Sequence, residues 1–113
     1  MIEFSMNEGS DQGSLVLVDD VLVQHAQELR NAFIDAMQKT DHLVLDLGRV
    51  DRVDVAALQV LCAGHRAILS SGKRISLAGE PSRAFMEVVH LAGFQGCVES
   101  GDTTTIWQGL KAT

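Results

Sequence analysis

The stretch HLVLDL–GRVDRVD–VAALQVLCAGHRAILSSG–K–RISLAG (42–79) constrains the fold most, because its hydrophobic period changes twice. HLVLDL (42–47) holds three leucines and one valine and predicts a strand, central because its apolar content is high, ending at Gly48. VAALQVLCAGHRAILSSG predicts a helix beginning at Val55 and stopped by Gly72, the residue type favoured just past a helix end. RISLAG (74–79) returns to a strand. Two strands joined through a helix predict a parallel pair.

The rest of the chain extends this pattern. IEFSM (2–6) alternates as a half-buried strand does, NEGSDQGS (7–14) reads as a turn, and LVLV (15–18) is a second strand. Ala26, Leu29, Ala32, Phe33, Ala36 and Met37 recur at three and four, which predicts an amphipathic helix from about 25 to 39. EPSRAFMEVVHLAG (80–93) predicts another, with Pro81 near its start and Gly93 at its end. Cys97 and Val98 are assigned to an edge strand, and DTTTIWQGLKA to a short last helix with Asp102 and Thr103 as caps. The order β-β-α-β-α-β-α-β-α predicts one α/β domain over residues 1–113. Its sheet should be mixed, with four to five strands: an antiparallel hairpin leads into parallel pairs, and right-handed crossovers put the helices mainly on one face.

Composition narrows the function classes. With 46% apolar residues the chain belongs among folded globular proteins. No apolar run reaches the roughly 18 residues of a bilayer span. The first residues, MIEFSMNEGS, lack the basic-then-apolar order of a signal peptide, so a cytoplasmic location is expected. The net charge of −6 disfavours a phosphate backbone, and Lys39, Arg49, Arg52, Arg66, Lys73, Arg74 and Arg83 are scattered, so no nucleic-acid partner is expected. Cys62 and Cys97 form no CxxC and are expected to be reduced core residues.

Most chemical motifs are missing. GxGxxG, GxxxxGK[ST] and GxSxG do not occur. His25, His42, His65 and His90 make no metal-type pair; His65 falls on the core stripe with Leu58, Leu61, Cys62, Ile68 and Leu69 and is expected to be a core residue. Asp46, Asp51 and Asp54 cluster around a strand end and the loop after it. Either they hold Mg²⁺ and a nucleotide or small ligand, or Asp54 caps the helix, Asp51 is solvated and Asp46 bonds nearby backbone. Asp19 and Asp20 could imitate the acidic pair of a phosphoacceptor receiver, but no lysine follows the strand near Cys97. No cofactor, metal ligand or catalytic residue is assigned.

The far side of the helix that begins at Val55 is the more informative surface. Ala56, Val60, Ala63 and Ala67 lie opposite its core stripe, with Val55, Gln59 and Arg66 on one flank. A surface helix ordinarily carries polar residues there. Either a neighbouring helix covers these small apolar residues, or they meet a partner, which could equally be a second copy in a homodimer.

Roughly residues 14 to 100 resemble a STAS domain, the fold of bacterial anti-sigma factor antagonists. The resemblance is carried by a strand ending in Asp46-Leu47, the turn at Asp54, the apolar helix, Gly72 with the next strand, and LAGF (91–94). It implies a non-enzymatic regulatory module that binds a protein partner, such as an anti-sigma factor that is also a kinase. In that family the partner phosphorylates a Ser or Thr after the loop Asp, and the added charge abolishes binding. Here Asp54 matches the Asp, but Val55 stands at the hydroxyl position and Ala57 replaces a Gly; Ser70 and Ser71 are far along the helix. The resemblance therefore implies a member that this phosphorylation cannot switch. VDVAALQVL (53–61) is also similar to STAS proteins of chemotaxis systems, and other members are subunits of lipid-transporting ABC complexes. The contact face expected from the resemblance and the helix pattern together is Asp54, Val55, Ala56, Gln59, Ala63 and Arg66.

Overall fold

Alternating burial along two long strands sets the architecture of the computed structural model, which describes residues 1–7 and 9–92. In order, the elements are β1 (Ile2–Met6), β2 (Gln12–Val21), a single 3-10 turn (Val23–His25), α1 (Ala26–Lys39), β3 (His42–Val53), α2 (Val55–Ser70), β4 (Arg74–Leu77) and α3 (Arg83–Ala92). The sheet order is β1-β2-β3-β4. β1 runs antiparallel to β2, and β2, β3 and β4 are mutually parallel, which is the expected mixed sheet. The segments around Cys97 and beyond Asp102, expected to form a strand and a helix, lie outside the described residues, as does Gly93.

Leu15 and Leu17 of β2, Leu43, Leu45 and Leu47 of β3, and Ile75 of β4 are buried, whereas the residues between them in β2 and β3 are half-exposed. One face of the sheet is therefore closed. Leu29, Phe33 and Ala36 of α1, Ala57, Leu58, Leu61 and Ile68 of α2, and Phe85 and Val89 of α3 meet these strand residues in one core. Each Leu, Ile, Val or Phe among them contributes about 1.5–3 kcal/mol by leaving water. His65 is buried beside them, as its place on the stripe predicts. Cys62 is buried too, but it is disulfide-bonded, which corrects the expectation of a reduced thiol; Cys97 lies outside the described residues.

β3 does not end at Gly48. It runs on to Val53, so Asp51 lies in a strand and not in a strand-to-helix loop. The reason is a pair of register shifts against β2, between Val16 and Val18 and between Asp19 and Asp20. A bulge lets pairing continue past a glycine while shifting which residues face inward. Burial accordingly passes from every second residue, Leu43 to Leu47, to Val50 and Val53. Asp19 adopts the left-handed region at φ 64°, a conformation that Asp tolerates better than most residues.

The helix ends follow their local chemistry. Gly72, at φ +77°, closes α2 as expected: its N–H bonds the Leu69 carbonyl, and the Lys73 N–H reaches back to Ile68 at 3.2 Å. α3 starts at Arg83, later than the sequence suggests, because Ser82 is its cap. The Ser82 hydroxyl accepts the Phe85 N–H and donates to the Val50 carbonyl at 2.6 Å, fastening α3 to β3.

Candidate functional site

Asp54 organises the start of α2. Its backbone is extended, and Oδ1 accepts the Ala57 N–H at 2.9 Å, satisfying a donor that the helix leaves open. Its other oxygen, Oδ2, accepts the Val23 N–H at 2.8 Å, across 31 residues of chain. The carboxylate thus ties the 3-10 turn before α1 to the first turn of α2. Next to that turn, His25 Nδ1 accepts the Leu22 N–H at 3.1 Å. Both Asp54 oxygens are engaged by backbone, so this side chain positions the two segments.

Val23 and Val55 flank this clasp, and both point outward: they are 61% and 47% exposed. The β-branched side chain of Val55 gains nothing as the first residue of a helix.

A groove of about 530 Å³ lies between α1 and α2, its α2 wall beginning at Ala56, the residue after Val55. Ala56, Gln59, Val60, Ala63, Gly64 and Ala67 form one wall, and Ala26, Arg30, Phe33, Ile34 and Met37 the other. Gly64 sets how closely the helices approach. A Cβ there would come within 2.6 Å of the Phe33 ring, so only glycine allows this contact. The small apolar face is thus covered from within the domain only in part. α1 covers the Gly64 side, whereas Ala56, Val60 and Ala67 stay half-buried and Ala63 is exposed.

Of the six expected contact residues, Ala56, Gln59 and Ala63 line the groove. Val55 stands exposed at its end and Arg66 is exposed one turn beyond Ala63, while Asp54 lies behind them with its oxygens engaged. Sequence reasoning missed the α1 wall. One signal was available: Ile34 lies off the amphipathic stripe, and it is 43% exposed.

The acidic residues are dispersed in role. Asp46 Oδ1 accepts the Gly48 N–H at 3.0 Å in a local turn, and Asp51 is exposed on β3. Among the described residues no three His, Cys, Asp or Glu side chains come together as metal ligands would. Asp20 pairs with Arg52, whose Nε donates to Oδ1 at 3.1 Å while Nη2 donates to Oδ2. This hydrogen bond holds the Asp20 carboxyl below its ordinary value and raises Arg52 above its own. Among the described residues no helix is long and apolar enough to cross a membrane.

Among the described residues, a four-stranded mixed sheet with three helices defines an α/β fold of the STAS type. The chain belongs to the family described as Mlab, STAS domain, whose model matches residues 4–99. No functionally curated protein matches the sequence. Among solved structures, TM1081 of Thermotoga maritima, a putative anti-sigma factor antagonist, is similar at TM-score 0.67 and 19% identity, over 86% of this chain and 77% of that one. The Bacillus cell fate determinant SpoIIAA in its phosphorylated form is similar at TM-score 0.66 and 12% identity, over 85% and 86%. SpoIIAA has also been solved unphosphorylated, as an anti-sigma factor antagonist. Mglu shares 28% identity at TM-score 0.60 over 74% of this chain, which spans only 20% of Mglu.

Proposed function

We propose that this chain is a non-enzymatic regulatory module of the anti-sigma factor antagonist type. It binds a protein partner through the start of α2 and the groove beside it. The observation that carries this reading is the exposed Val55 at the first position of α2, next in the chain to Ala56 of the open apolar groove. Exposed apolar surface of this kind marks interaction sites on small domains. Val55, Ala56, Gln59, Ala63 and Arg66 make the contact, and Asp54 is a positioning residue that holds Val23 and Val55 side by side.

The partner is a protein of the anti-sigma factor class, in keeping with the antagonists whose fold the chain shares. Binding here is not switched by phosphorylation at the α2 turn, because Val55 has no hydroxyl to accept a phosphoryl group. Control then rests with the supply of partner.

Val55→Glu tests the reading. Glutamate in the first turn of a helix interacts favourably with its N-terminal dipole, so the fold should be retained. The same charge at an apolar contact is desolvated without a counter-ion and should weaken binding at least tenfold. Quantitative affinity capture compares wild type and V55E as bait, with circular dichroism confirming the fold. A partner recovered equally by both would refute this face.

A further inference from the structure

We infer that the α1–α2 groove receives an amphipathic helix of the partner whose flanks are acidic. The inference rests on the binding-module reading and specifies the element that the module holds.

The groove has the dimensions of a helix seat. Its α2 wall runs from Ala56 to Ala67, about 16 Å at 1.5 Å per residue, or three helical turns. That length accommodates apolar side chains spaced i, i+3 or i+4, and i+7. Alanine at 56, 63 and 67 keeps the wall low, so an incoming backbone can approach closely. Phe33, Met37 and Val60 supply larger apolar surface.

Charge selects the kind of helix. The chain holds 15 acidic residues against 9 Lys and Arg, yet no residue lining the groove is acidic, and the ionised one is Arg30. Helical spacing places Val55, Gln59, Arg66 and Ser70 along the outer edge of α2, and Gln27, Asn31, Ile34 and Gln38 along that of α1. Gln27 donates to Asn31 at 3.1 Å on that edge. Glu28 and Asp35 fall on the opposite flank of α1. The mouth of the groove is thus amide-rich with two exposed arginines, on a chain that is acidic elsewhere. Carboxylates on the flanks of an incoming helix complement it, and a basic helix is repelled. The same arrangement disfavours a second copy. In a two-fold pairing a face meets itself, so a mouth with arginines and no lining carboxylate would face another of the same charge.

Two labelled synthetic peptides with the same leucine face test this on the full chain by fluorescence anisotropy, one with glutamate flanks and one with lysine flanks. The glutamate peptide should bind at least tenfold more tightly, and 0.5 M NaCl should narrow the gap. Arg30→Glu with Arg66→Glu, both at exposed positions, should reverse the preference, and Ala63→Trp should weaken both peptides. Equal affinities, a preference for the lysine peptide, or no binding of either at millimolar concentration would overturn the inference. So would a homodimer in sedimentation that Ala63→Trp dissociates. The module reading is decided separately. If V55E loses the captured partner while Arg30→Glu alone keeps full affinity for it, the module stands and the acidic helix is wrong.

Discussion

Replacing Asp54 by alanine removes two hydrogen bonds that serve different elements. The bond to the Ala57 N–H is a helix cap, whose loss costs about 1 kcal/mol. The bond to the Val23 N–H ties the 3-10 turn to α2. Val23 is exposed, so water can take over that donor, and the loss is at the low end for a charged acceptor, about 1 kcal/mol. Together Asp54→Ala should destabilise the domain by about 2 kcal/mol, or roughly 8 °C in Tm for a chain of this size. Asp54→Asn separates the two contributions. Its single carbonyl oxygen can cap Ala57, but its amide group cannot accept from Val23, so about half the loss is expected. Urea unfolding followed by circular dichroism measures both, at unchanged denaturant dependence. Amide exchange assigns them: Val23 should exchange faster in both variants, and Ala57 only in the alanine variant. A loss below about 0.5 kcal/mol in Asp54→Ala, or an asparagine variant as unstable as alanine, would refute the two-bond account.

Gly64→Ala sets helix propensity against packing. Alanine gains about 1 kcal/mol in a helix interior, but its Cβ would sit 2.6 Å from the buried Phe33 ring. Overpacking of this kind costs about 1–3 kcal/mol. A net destabilisation in urea is expected, partly relieved by adding Phe33→Leu; a stabilised Gly64→Ala would show that α1 moves freely. For the exposed Asp20–Arg52 pair the sign follows from the lowered Asp20 value. Its small contribution is present above the unfolded-state value near 3.8 and is lost as pH falls through the lower folded value. The stability difference between wild type and Asp20→Asn should therefore shrink from pH 7 to pH 2, and 1 M NaCl should remove it. A difference independent of both pH and salt would mean that the ion pair does not contribute.

The order of the described elements and the end of α2 were legible in the sequence because they depend on neighbours along the chain. The period change between 42–47 and 55–72 marked β3 and α2, and Gly72 marked where α2 stops. Asp54 could be recognised as a cap from its place before Val55 and Ala56. Its second bond could not, because Val23 lies 31 residues away and only the packing of two segments brings its N–H within reach. The continuation of β3 past Gly48 was hidden for the same reason: it depends on bulges in the pairing with β2.

The small apolar stripe at Ala56, Val60, Ala63 and Ala67 could be read as a face needing cover, since helical spacing alone assembles it. Whether that cover came from within was decided by tertiary structure. Gly64 lets Phe33 bring α1 alongside α2, and α1 reaches only part of the stripe, leaving a groove whose second wall no local pattern announced. The sequence by itself determined which segments carry the described helices and strands and which side of α2 is unusual, because those properties repeat along one chain segment. The tertiary structure decided that Asp54 is a clasp, that Val23 stands beside Val55, and that Arg30 and Ile34 share a surface with Ala63. Each of those is a distance between segments, fixed only when the two helices settle on the same face of the sheet.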